Sequence, residues 1–186
     1  GIIIRNNVSY NNINLLDNPN CCGRPTDGSG IVLDDFLNSQ SGGNGVAYER
    51  RALVENNITH SNGGHGIHVY RSQNIDIRNN TSVGNLGNLT FGGEVSVQQS
   101  ERIRVYNNIL SARPGESAAQ ISNSTDISVE YNLVNGSIFG VGNSSTNFYT
   151  APNFETGTLR LRSGAVGVNQ GIAQDLPTSF DISGQN

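Results

Sequence analysis

Apolar and polar positions alternate along this chain in short bursts. In residues 64–80, GHGIHVYRSQNIDIRNN, Ile67 and Val69 share one side of an extended chain, and Ile75 and Ile77 share one side of the next. The polar link between them is too short for a helix, so two successive strands with a bend are predicted. The frame recurs as Val95 and Val97 followed by Ile103 and Val105, and as Ala119 and Ile121 followed by Ile127 and Val129. Upstream it reads Ile31 and Leu33, then Ala52 and Val54, and the chain opens inside it with Ile2 and Ile4. Each copy closes on an asparagine: Asn7, Asn57, Asn80, Asn108 and Asn132, at intervals of 50, 23, 28 and 24 residues. A strand-type repeat of about 20–30 residues predicts a solenoid. A third short apolar stretch follows each asparagine, giving three strands per turn, stacked about 4.8 Å apart. The expected fold is all-β, a parallel β-helix of about six coils.

The coils are assigned to residues 1–142, interrupted by polar insertions at 13–29 and 37–50 that account for the long first interval. Residues 143–186 are read as an irregular C-terminal cap and tail, in which Phe180 and Ile182 can pack back. The asparagine column has a physical reason. Asn tolerates a left-handed backbone at a tight bend, and its amide can bond the next Asn in a ladder. Each inward Ile, Leu or Val stabilises the stack by roughly 1.5–3 kcal/mol when fully buried. Backbone groups of one coil are satisfied only by the coils above and below it.

The repeated x-I-x-I-x-N-N frame resembles the right-handed parallel β-helix repeats of the pectate-lyase-like superfamily, over residues 2–142. That resemblance implies a three-faced right-handed cylinder and a carbohydrate substrate, but no one activity, since lyases, hydrolases, epimerases and adhesive domains share the coil. Thr26-Asp27-Gly28 and Gly64-His65-Gly66 also resemble pieces of the polygalacturonase pattern, matching its first aspartate and its histidine. Pro25 stands where that pattern has Asn, the paired aspartates follow their strand, and Arg102-Ile103-Arg104 differs from its Arg-Ile-Lys.

Composition narrows the function classes. With 27 Asn and 23 Gly the chain is unsuited to helices, and its ordered strand pattern argues against disorder. Net charge is -4, and all 11 basic residues are Arg, with no basic face for a nucleic-acid backbone. A lysine base is excluded. There is no apolar run long enough to span a membrane. Adjacent Cys21 and Cys22 make neither a Cys-x-x-Cys motif nor a zinc site, and are read as a vicinal disulfide or two free thiols. The uncapped apolar start implies that upstream coils are missing from this chain. Sequons such as Asn57-Ile58-Thr59 fall on the ladder, where a glycan would disrupt packing, which favours a bacterial source and an extracellular or periplasmic location.

Register gathers the candidate chemistry. With Ile31, Ile67, Val95 and Ala119 inward and equivalent, Val32, His68, Ser96 and Gln120 form one outward column, and Asp34, Tyr70, Gln98 and Ser122 the next. Asp35, Arg71, Gln99 and Asn123 occupy the bend beyond. Gly30, Gly66, Glu94 and Ala118 precede the strands. Asp27, Asp34 and Asp35 could supply oxygen ligands to calcium. His68, Arg71 and His65 are the candidate proton-transfer groups, and Tyr70, Glu94 and Gln98 the candidate substrate contacts. The expected function is a carbohydrate-active β-helix, specifically a calcium-assisted lyase acting on an acidic, uronate-containing polysaccharide. A non-catalytic glycan-binding or adhesive domain, and a hydrolase or epimerase, are the alternatives.

Overall fold

The structure, a computed structural model, describes residues 1–19, 23, 25–40, 42–89 and 91–172. Cys21, Cys22, Phe180 and Ile182 lie outside the described residues. The first turn comprises β1 (Ile3–Arg5), β2 (Val8–Tyr10) and β3 (Ile31–Asp34), and the second β4 (Ala52–Glu55), β5 (Ile58–His60) and β6 (Ile67–Tyr70). Then come β7 (Gln73–Arg78), β8 (Thr81–Val83) and β9 (Gly93–Gln98), followed by β10 (Glu101–Tyr106), β11 (Ile109–Ser111) and β12 (Ser117–Ser122). The last elements are β13 (Thr125–Glu130), β14 (Leu133–Asn135), β15 (Ser137–Phe139) and β16 (Phe148–Tyr149).

As far as β15, every third strand joins the same sheet. Sheet A is β1-β4-β7-β10-β13, sheet B runs β2-β5-β8-β11-β14-β16, and sheet C is β3-β6-β9-β12-β15. All neighbours are parallel and nearly in register, so the molecule is a parallel β-solenoid. From β1 to β13 the chain completes four turns, fewer than the expected six. The reason lies in the first interval: β1 pairs directly with β4, Ile3 opposite Leu53, so fifty residues make one turn and the surplus goes into the two insertions. Among the described residues beyond 136, three-residue β15 and two-residue β16 alone continue the stack.

Alternation places the core where the pattern predicts. Ala52, Val54, Ile75, Ile77, Ile103 and Val105 of sheet A meet Leu33, Ile67, Val69, Val95 and Val97 of sheet C, all essentially inaccessible to solvent. The asparagine column is a true ladder. Asn57 Nδ2 donates to Asn80 Oδ1 at 3.0 Å, Asn80 to Asn108 at 3.0 Å, Asn108 to Asn132 at 3.0 Å, and Asn132 to Asn147 at 3.2 Å. Its partner column carries the left-handed backbone: φ is +60° at Asn6, +53° at Asn56, +55° at Asn79, +57° at Asn107 and +56° at Tyr131. The two jobs foreseen for one asparagine are thus divided between neighbours.

The segment after β16 does more than close an end. Ile138 and Val141, which precede it, pack on the core, while its residues 158–171 lie against the outward side chains of sheet B. Leu161 lies beside Leu133 and Phe148, Thr158 and Leu159 face Ile58, Thr81 and Ile109, and Asn107 Nδ2 donates to the Ile172 carbonyl at 2.9 Å. Leu133 is buried in consequence.

Candidate functional site

The outer face of sheet C carries a groove of about 810 Å³. Its floor follows from register. Val32 pairs with His68 and His68 with Ser96, while Asp34 pairs with Tyr70 and Tyr70 with Gln98, the two outward columns expected. Both insertions form walls. The first is anchored where Gly64 N donates to the Gly28 carbonyl at 2.9 Å and His65 N donates to Ser29 Oγ at 3.1 Å, which brings Asn18, Thr26 and Asp27 to one side. The second turns back through Tyr48 N donating to the Phe36 carbonyl at 2.7 Å, with the two rings edge to face, and supplies Gln40.

A row of rings crosses this face. Phe91 meets the edge of His65 at 6.0 Å, His65 and His68 are 4.5 Å apart, and His68 stacks on Tyr70 at 6.0 Å. The Arg71 guanidinium lies over the Tyr70 ring at 5.1 Å. His65 is 2% exposed, and Gly92 lets it sit there: a Cβ at Gly92 would stand 1.9 Å from His65 Cε1, on a backbone with φ of +106°. Burial pushes the His65 imidazole down from 6.5 to about 3, with repulsion from His68 adding to it and hydrogen bonding to the Gly93 backbone opposing it. His68 is lowered to about 4, again by burial, against the Ser96 backbone and the charge of Asp27. Both imidazoles are therefore neutral at neutral pH, and the Nδ1 atom of each is buried without a hydrogen-bond partner.

Of the residues singled out in the sequence, Asp27, Asp34, His65, His68, Tyr70 and Gln98 line this one groove. Asp35 and Arg71 stand at the bend outside its lining, both with left-handed backbone, φ +56° and +44°. Arg71 Nε donates to Gln99 Oε1 at 2.9 Å. Glu94 does not line the groove. It is fully buried inside the cylinder, where its carboxylate accepts from Ser82 Oγ at 2.8 Å, from Asn85 N at 3.0 Å and from Asn85 Nδ2. Burial raises its pKa, and the Asn85 and Ser82 bonds hold that rise back.

Each of the three aspartates is engaged by its own loop. Asp34 Oδ1 accepts from Gln40 Nε2 at 2.6 Å, and Asp35 Oδ1 accepts from the Ser39 backbone at 2.8 Å, so both brace the second insertion. Asp27 bonds Thr26 at 3.2 Å. Among the described residues no group of three or more His, Cys, Asp or Glu is placed to hold a metal ion, and no helix is long and apolar enough to cross a membrane.

Gln40, Asn18 and Phe91 also line the groove and escaped the sequence reading, as did the part played by Gln99, which that reading placed at the bend without making it a contact. That part could have been found, since Gln99 follows Gln98; Gln40, Asn18 and Phe91 come from loops without periodicity. A second internal ladder was missed as well. Asn12 donates to Asn62 at 2.9 Å and Asn62 to Asn85 at 2.8 Å, and Glu94 ends the row. Its spacings of 50 and 23 residues repeat those of Asn7, Asn57 and Asn80. In comparisons with known proteins, no family model, curated protein or solved structure matches the chain.

Proposed function

We propose that the groove on sheet C binds an extended glycan, and that the chain is a right-handed β-helix of the pectate-lyase-like kind working in the extracellular or periplasmic space of a bacterium. The observation that carries this reading is the groove itself. It crosses three coils, is walled by both insertions, and combines the aromatic face of Tyr70 with hydrogen-bonding groups from Asp27, Asp34, Gln40, Gln98 and Gln99. A pyranose offers an apolar C–H face and a ring of hydroxyls, and this combination matches both. Right-handedness is favoured because connections between parallel strands of one sheet are right-handed in about 98% of cases. The test is retention of the whole protein in gels containing soluble polysaccharides. Tyr70→Ala should weaken retention about tenfold, and no retention by any member of a broad panel overturns the proposal.

A second reading, elimination on a uronate chain, is favoured by the two neutral imidazoles in the groove, which can accept a proton at neutral pH. In that reaction His68 takes the C5 proton, the C4–O bond breaks with its electrons leaving on the departing sugar, and a C4–C5 double bond forms. The product absorbs in the ultraviolet. Incubation with uronans, with and without calcium, decides it: rising absorbance that is lost in His68→Ala supports a lyase, and flat traces leave binding alone.

A further inference from the structure

We infer that the groove selects uncharged sugar chains and turns away uronates, an inference that rests on the glycan-binding reading. Two carboxylates, Asp27 and Asp34, stand exposed on its lining. No arginine or lysine lines it among the described residues. Arg71, at its margin, is held by Gln99 and by the Tyr70 face. Other guanidiniums are committed elsewhere: Arg5 and Arg78 to Glu55, Arg51 to Asp76, and Arg104 to Asp126. The groups that could turn cationic are His65 and His68. The desolvation of one, and the 4.5 Å that separates the two rings, oppose the charging of both together.

Independently of charge, the groove offers neutral hydrogen-bonding chemistry. The Gln98 amide provides one acceptor and two donor hydrogens, and Gln40 and Gln99 add the amide atoms not already engaged by Asp34 and Arg71. Such groups recognise hydroxyls. A sugar carboxylate brought among them would meet the two aspartates, and among the described residues the Arg71 guanidinium stands outside the lining against them, so the net repulsion is strengthened by partial enclosure.

The experiment compares the full chain on neutral xylan, mannan and β-glucan with polygalacturonate and alginate, by affinity electrophoresis over a range of salt. At least one neutral polymer should retain the protein, with affinity changing less than about twofold as screening increases, and the uronans should not. Asp27→Asn combined with Asp34→Asn should raise uronan affinity relative to the neutral polymer about threefold to tenfold. Should that double variant misfold by circular dichroism, the salt response of the unaltered protein still decides. Uronans bound as tightly as or more tightly than every neutral polymer overturn the inference while the glycan reading stands. Retention by neither kind overturns the glycan reading itself.

Discussion

Asn80 shows what one side chain does in this architecture. Its Oδ1 accepts from both the backbone N and the Nδ2 of Asn57, and its own Nδ2 donates to the Val54 carbonyl and to Asn108. Truncating it leaves several buried polar groups unpaired at once, each costing about 1–3 kcal/mol. Asn80→Ala should therefore destabilise by about 3–5 kcal/mol in urea unfolding, and Asn7→Ala, at the exposed end of the same ladder, by about 1 kcal/mol. Equal losses would show that the ladder has no cooperative interior. Asn80 was legible because apolar pairs flank its column. Glu94 was misread because alternation counted back from Val95 points it outward. At the turn between sheets B and C the column of Gly30, Gly66, Glu94 and Ala118 faces in instead. The space there is so small that a Cβ on Gly66 would come within 1.9 Å of Ser82 Oγ. Glu94 fits one coil further along, where Leu110 replaces the inward Ser82 and the polar row of Ser9, Thr59 and Ser82 must end.

At the scale of elements, strands were readable and loops were not, for a physical reason. A period of two assigns each strand residue a face, so pairing β3 with β6 and β6 with β9 in register was enough to bring Asp34, Tyr70 and Gln98 into line. Gln40 reaches the groove only through the path of the second insertion, fixed by Asp35 accepting from residues 39 and 40 and by Phe36 against Tyr48. No periodicity encodes such a path. The segment along sheet B is a similar case. It is held chiefly by Leu161 against Leu133 and Phe148 and by the two Asn107 bonds to Ile172, both 2.9 Å. Leu161→Asp should release it while leaving the coils intact, since no ladder passes through it. Limited proteolysis should then cut within residues 150–172 at least tenfold faster, with the fragment ending near Tyr149 still folded by circular dichroism. Unchanged cleavage, or loss of the coils as well, would show that this segment and the solenoid form one cooperative unit.

For the molecule as a whole, the buried imidazole pair sets the response to acid. Both folded pKa values, about 3 and about 4, lie below the unfolded value of 6.5, so the unfolded chain binds the protons first. Their stabilising contribution is complete above pH 6.5 and is lost as pH falls toward 4 and then 3. The slope is at most roughly 1.4 kcal/mol per pH unit for each imidazole. Glu94 acts in the opposite sense: its raised pKa favours the folded protein at low pH, and that contribution fades as pH rises through the folded value. Two groups oppose one, so the net loss between pH 6.5 and 4.5 should be about 2–4 kcal/mol, a fall in Tm of about 5–15 °C for a chain of this size. His65→Gln with His68→Gln should flatten that fall, because an amide cannot take the proton. The same pair lies in the groove, so glycan retention by the unaltered protein should stay constant from pH 8 to 6 and disappear only where the fold begins to melt. Melting curves from pH 7 to 4, recorded beside retention over the same range, test this directly. A double variant as acid-sensitive as the parent would show that the imidazole pair does not set the acid response. Retention lost well above the melting range would make the imidazoles part of recognition in their own right.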